Sequence, residues 1–133
     1  PLFKQDNYSY SKQGVVRGLH YQLPPFTQGK LISVVKGKIW DVAVDVRKGS
    51  KFFGQWVGVE LSEENNLSFY IPPGFAHGLS VLSKEARVLY KCTKEYSSAH
   101  ERGVRFDDSR LCIDWKVSSP TVSLKDQKWP NLK

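Results

Sequence analysis

Asp41, Ala43 and Asp45 alternate with Val42, Val44 and Val46. Side chains two apart share one face of an extended strand, so this stretch predicts a strand with one apolar face and one that carries two carboxylates. The same two-residue rhythm, rich in β-branched and aromatic residues, recurs along most of the chain, broken by Gly, Pro and Asn. No segment sustains a 3.6-residue rhythm over the length of a helix, which leaves an all-β architecture.

The alternation predicts strands over roughly residues 6–10, 14–22, 30–36, 38–46, 54–60, 67–71, 77–83 and 86–94. Lys36-Gly37-Lys38 predicts a tight turn between two strands, with Gly37 supplying the positive φ that hairpins favour. Ser62-Glu63-Glu64-Asn65-Asn66 predicts a turn or a single helical turn. Beyond about residue 97 the composition changes to loop chemistry, in Asp107-Asp108-Ser109, Ser118-Ser119-Pro120 and Trp129-Pro130. Such a tail is expected to lie over a barrel or its mouth. Eight or so short strands in 133 residues predict one domain, 1–133, built as a sandwich or barrel, with a jelly roll the leading candidate. The length suffices to bury a core without metal or disulfide staples.

No run approaches a transmembrane helix and no signal-peptide pattern opens the chain, so a cytoplasmic protein without membrane contact is expected. Cys92 and Cys112 are not spaced as a metal pair and read as free thiols. The formal charge of +7 comes from lysines and arginines scattered in ones and twos, as on a solvated surface. Only around Arg17 and Lys30 does that charge gather beside other reactive groups. The chain opens on Pro1, inside a strand, so a preceding N-terminal segment is expected to lie outside it.

Those reactive groups begin in Arg17-Gly18-Leu19-His20-Tyr21-Gln22, followed by Gln28-Gly29-Lys30. Two cations and an imidazole on sheet backbone suit the removal of a proton beside a carbonyl in an anionic substrate. Strict alternation puts Arg17 and His20 on opposite faces, unless Gly18 bulges the strand. His20 reads either as a hydrogen-bonded core histidine or as a general base kept neutral by cationic neighbours. His77 ends Pro72-Pro73-Gly74-Phe75-Ala76-His77, which matches the Pro-x-Gly-x-x-His piece of cupin jelly rolls. A cupin metal site is not predicted. His20-Tyr21-Gln22 has glutamine where the second histidine of a His-x-His pair belongs, and the remaining histidine, His100, sits in a loop. Tyr90 lies in the alternating run Val88-Leu89-Tyr90-Lys91-Cys92-Thr93, either as a packed tyrosine or as a proton donor suited to an enolate. Asp41, Asp45 and Asp126 could each orient a base or pair with lysines. There is no serine elbow, Gly-rich phosphate loop or Cys–His pair.

Taken in order, Gln5-Asp6-Asn7, Gly14 to Gln22, Gln28-Gly29-Lys30-Leu31, Asp41 to Arg47, Ile71 to Gly78, Tyr90-Lys91-Cys92-Thr93, Ile113-Asp114-Trp115 and Leu124-Lys125-Asp126 closely resemble the dTDP-4-dehydrorhamnose 3,5-epimerase family. The resemblance implies a cupin-like jelly-roll barrel with a loop-rich C-terminal tail, working as a homodimer without metal or other cofactor. It implies inversion at C3, C5 or both of a dTDP-linked 4-keto-6-deoxyhexose through an enolate. By resemblance, His20 is the base, Asp126 the carboxylate that holds its tautomer, Tyr90 the acid on the opposite face and Lys30 the cation beside the ketone oxygen. Arg17 resembles the diphosphate-binding arginine. His77 and Asp41 are expected to line the pocket, Tyr96 to pack on sugar or nucleotide, and Gln5 and Asn7 to reach the nucleotide. The family's further nucleotide contacts in an N-terminal segment have no counterpart in this chain.

A single-carbon epimerase and a nucleotide-sugar 3,4-ketoisomerase of the same fold share these motifs. A non-catalytic nucleotide or nucleic-acid binding barrel would suit the charge and the aromatics. It has no need of His20, Tyr90 and Asp126 together, and the aromatics do not recur along one strand with basic residues, so no nucleic-acid partner is expected.

Overall fold

The computed structural model describes residues 2–133. Its strands are β1 (Gln5–Lys12), β2 (Val15–Gln22), β3 (Lys30–Lys36), β4 (Lys38–Asp45), β5 (Trp56–Ser62), β6 (Ser68–Ile71), β7 (Phe75–Val81), β8 (Glu85–Cys92), β9 (Glu101–Gly103) and β10 (Thr121–Val122). Short 3-10 helices occupy Ser98–His100 and Asp126–Lys128. Each strand predicted from alternation forms, its ends moved by a residue or two.

The strands divide into two sheets. One runs β1-β8-β3-β6; the other runs β10-β2-β7-β4-β5, with β9 also paired to β2. Every pairing is antiparallel except β10 on β2. Inward side chains from both sheets, among them Ile32, Ala86 and Val88 from one and Ile39, Leu61 and Leu79 from the other, make a single buried cluster between them. Burying a valine, leucine or isoleucine side chain of this kind is worth about 1.5–3 kcal/mol and holds the layers together.

The expected barrel is not what forms. Among the described residues neither sheet closes on itself, and the fold is an open two-sheet sandwich. Consecutive strands turn from one sheet to the other at the corners. β1 and β2, β3 and β4, and β7 and β8 follow one another in the chain, yet each pair belongs to different sheets. The corner amides bond to other corners: Gln13 N–H to Lys84 O, Gly14 N–H to Val81 O and Leu82 N–H to Lys38 O. Closure would need the edge strands to pair across the sheets, β6 with β5 and β1 with β10 or β9, and among the described residues no such ladder forms. The turn Lys36-Gly37-Lys38 is therefore a crossover between sheets and not a hairpin. Gly37 does take φ +88, and a Cβ there would lie 2.2 Å from Glu85 O. Ser62–Asn66 is a turn closed by Asn65 Oδ1 on Ser62 N–H and Ser62 Oγ on Asn65 N–H.

The tail covers the outer face of the larger sheet. Val104, Leu111 and Trp115 pack on Val16, Val42, Val44 and Ala76. The valines of β4 are thus buried under the tail, while Asp41, Ala43 and Asp45 on the other face are buried as well. Asp45 tolerates this because Arg47 N–H, Nε and Nη2 and the Ser50 hydroxyl all donate to its carboxylate at 2.6–3.0 Å. The Arg47 guanidinium, working against burial and helped by Ser50, holds that carboxyl at about 2. A folded-state value below the ordinary 3.8 contributes stability above pH 3.8 that is lost as the pH falls towards 2. Asp45→Asn should therefore cost about 1–3 kcal/mol at pH 7. In denaturant melts the gap to the wild type should narrow mainly as the pH falls from about 4 to about 2.

Candidate active site

A cavity of about 230 Å³ opens between the sheets. Arg17 and His20 reach it from β2 and His77 from β7, all in the larger sheet; Lys30 and Tyr90 reach it from β3 and β8 in the smaller one. Arg17 and His20 share it because β2 is bulged. Arg17 pairs with Leu79 and His20 with His77, three steps on one strand against two on the other. The extra residue undoes strict alternation and turns both side chains to one face. Gly18 makes this possible. Its φ is +123, and a Cβ on it would sit 2.7 Å from the Gly78 Cα.

His20 is backed by the tail. Its Nε2 lies 2.5 Å from Asp126 Oδ1, whose partner oxygen Oδ2 accepts the Gly18 N–H at 3.1 Å. Trp129 Nε1–H donates to Oδ1 at 2.9 Å. Burial pushes the Asp126 carboxyl up, but His20, Gly18 N–H and Trp129 together outweigh it and hold the group below its ordinary range. An ionised Asp126 accepts from Nε2–H and leaves the lone pair of a neutral imidazole on Nδ1.

The facing wall carries the other groups. Tyr90 is pushed up to about 12, chiefly by burial and further by Asp41, against the pull of Ser9 and Arg17. At neutral pH it is a phenol with a proton to give. Ser9 Oγ lies 3.4 Å from its hydroxyl, and its ring meets His77 edge-on at 5.7 Å. Lys30 sits two residues from Ile32, the register partner of Tyr90 on β3. Burial lowers its ammonium, opposed by Cys92, Asp41 and Glu101. His77 is buried with Asp41 behind it, Nε2 to Oδ1 at 2.6 Å. Burial lowers that imidazole too; Asp41 opposes, while Lys30 and His20 add to the lowering. Among the described residues Asp41 Oδ2 is buried with no hydrogen-bond partner.

The remaining predicted residues lie at the rim or behind it. Arg17 is braced by Ser11, its Nε donating to Oγ at 2.9 Å. Asn7 and Tyr96 line the cavity, whereas Gln5 stands outside it and supports both, bonding Asn7 Oδ1 and accepting the Tyr96 N–H. His100 is apart from the other histidines, held by Ser97 and packed on Phe26. No group of three His, Cys, Asp or Glu side chains among the described residues could hold a metal ion. Sequence reading missed Glu101, which lines the cavity and is anchored by Lys125 at 2.5 Å and by the Tyr96 hydroxyl. It sits on β9, three residues long and formed only by pairing with β2, so no periodicity announces it.

A histidine–aspartate pair on one wall and a protonated tyrosine with a cation on the other can move protons on two sides of a small bound molecule. Comparison with known proteins gives that chemistry a family. The sequence model of the dTDP-4-dehydrorhamnose 3,5-epimerases matches residues 1–133. The chain belongs to this epimerase family. It is 54% identical over 124 residues to the dTDP-4-dehydrorhamnose 3,5-epimerase of Shigella flexneri, covering 93% of this chain and 68% of that one. It is similar, at 52% identity and TM-score 0.95, to the crystal structure of the Legionella pneumophila dTDP-6-deoxy-D-glucose-3,5-epimerase in complex with dTDP-4-keto-L-rhamnose, covering 98% of this chain and 70% of that one. A 3'-monoepimerase from Streptomyces bikiniensis, in complex with dTDP-quinovose, is similar at 35% identity and TM-score 0.91, covering 98% and 66%. No described helix of this epimerase-family chain is long and apolar enough to cross a membrane.

Proposed function

We propose that this protein inverts C3 and C5 of a dTDP-linked 4-keto-6-deoxyhexose. The observation that carries the reading is the placement of His20 and Tyr90 on opposite sheets, facing one cavity. Inversion requires a proton to leave one face of a carbon and another to arrive on the opposite face; one group returning its own proton restores the starting centre.

His20, its tautomer held by Asp126, takes the proton beside the C4 ketone. The electron pair moves into the ring as an enolate, and the Lys30 ammonium stabilises the charge on the C4 oxygen. A positioned donor of this kind is worth roughly 3–4 kcal/mol. Tyr90 then protonates the carbon from the other side. The chemistry uses side chains alone. His77, held by Asp41, meets the sugar between these groups. Arg17 at the rim offers a planar fork to the diphosphate, with Asn7 and Tyr96 beside the nucleotide and Gln5 bracing them.

We carry the family's homodimeric assembly over as part of the same proposal. Tyr8, Tyr10 and Tyr70 stand exposed on the outside of the smaller sheet and would be covered by a second copy. No nucleic-acid partner is proposed.

Incubation with dTDP-4-keto-6-deoxyglucose should yield dTDP-4-keto-L-rhamnose by NMR. A product inverted at one centre would make the protein a single-carbon epimerase, and a 3-keto product a ketoisomerase. Absence of any change in the sugar would remove the catalytic reading.

A further inference from the structure

Trp129 does not line the cavity, yet it touches both members of the pair that backs it. Its indole N–H donates to Asp126 Oδ1 at 2.9 Å, the same oxygen that His20 Nε2 meets at 2.5 Å. Its ring also meets the His20 imidazole edge-on, with centroids 5.9 Å apart and planes at 69°. The indole lies on Gly103, where a Cβ would come within 2.3 Å of Trp129 Cδ2. A bare glycine on β9 and a tryptophan on the tail are thus fitted to one another.

We propose that Trp129 is a positioning residue that sets how firmly His20 holds its proton, by sharing Asp126 Oδ1 with it. This rests on the reading of His20 as the base. A buried carboxylate bonded to an imidazole alone stabilises the imidazolium strongly and would keep the base protonated. A second donor on the same oxygen neutralises part of that charge, so the imidazole gives up its proton more easily and remains a base at lower pH. The other charged or titratable groups that line the cavity with His20 are Arg17 and Tyr21 on its own strand, His77 on β7, Lys30 on β3, Tyr90 on β8, Glu101 on β9 and Tyr96 in the loop after β8. None of them is bonded to Oδ1. Lys125, paired with Glu101, stands 5.9 Å over the indole.

The tail stays docked without the indole N–H. Arg105 bonds Gln127 O through Nη1 at 2.6 Å and Pro130 O through its backbone N–H at 3.0 Å, and Ser123 Oγ accepts the Asp126 N–H at 3.1 Å. Two independent variants therefore test the proposal. Trp129→Phe keeps the ring and removes the donor; Gly103→Ala keeps the indole and pushes it off Asp126.

Both should be measured as kcat/KM against pH, together with a ¹⁵N NMR titration of the His20 imidazole. Each variant should lose roughly three- to tenfold in kcat/KM at pH 6 and less than about twofold at pH 9, the scale of one redistributed hydrogen bond. The imidazole should stay protonated to higher pH than in the wild type. An equal loss at every pH, or no loss, with an unchanged NMR titration, would overturn the proposal and leave Trp129 as packing. The titration needs no substrate. A wild-type protein that fails to turn over would thus count against the proposed function, while the titration would still decide whether Trp129 sets the hold on the proton.

Discussion

His20→Asn is expected to lower turnover by roughly 10²–10⁴-fold, the range a general base contributes, while the protein stays folded. The geometry separates the two effects. The His20 side chain is 29% exposed, and among the described residues only one of the three donors to the Asp126 carboxylate is lost with the imidazole. Gly18 N–H and Trp129 Nε1–H remain on the carboxylate, so the penalty for an unsatisfied buried charge does not arise. The stability loss should be close to that of one hydrogen bond, about 1 kcal/mol. Turnover read by NMR and a thermal melt on the same sample check both halves. A variant that keeps more than about a tenth of wild-type turnover would place the base elsewhere.

Tyr90→Phe is expected to divide the reaction in two. The phenol is needed only when the enolate is protonated on its far face, so product formation should fall by roughly 10²–10⁴-fold. Proton removal by His20 does not need it, and exchange of the carbon-bound hydrogen with solvent should continue. The substitution is mild for the fold, since among the described residues the hydroxyl's one partner is Ser9 Oγ at 3.4 Å and the ring contact with His77 is kept. Loss of exchange and inversion together would mean that Tyr90 also positions the substrate. Full activity would mean that another group is the acid.

The strands were legible because each is an alternating run long enough to expose its period, β4 most plainly. Their assembly was not. Whether β1 pairs with β2, or both turn away into different sheets, depends on where the corner amides at Gln13, Gly14 and Leu82 find acceptors, and those lie far along the chain. The same non-locality hid β9 and β10, which are strands only because β2 is beside them. At the site, Arg17 and His20 could be read from one short segment, with Gly18 marked as the point where a bulge would unite them; the register of β2 on β7 shows that it does. Asp126 was one of three aspartates that could orient a base, and resemblance singled it out for His20, because nothing in spacing links residues so far apart. Trp129 read only as part of the loop chemistry of the tail, since the bond from its indole to Asp126 depends on how the tail docks.

Proton transfer on two sides of the sugar is tested most directly by NMR of dTDP-4-keto-6-deoxyglucose incubated with the protein in D₂O. Base and acid on opposite sheets predict deuterium at both C3 and C5 of an inverted sugar, and its loss in His20→Asn. A sugar recovered with no deuterium at either carbon, from protein that binds the nucleotide, would rule out proton removal by His20.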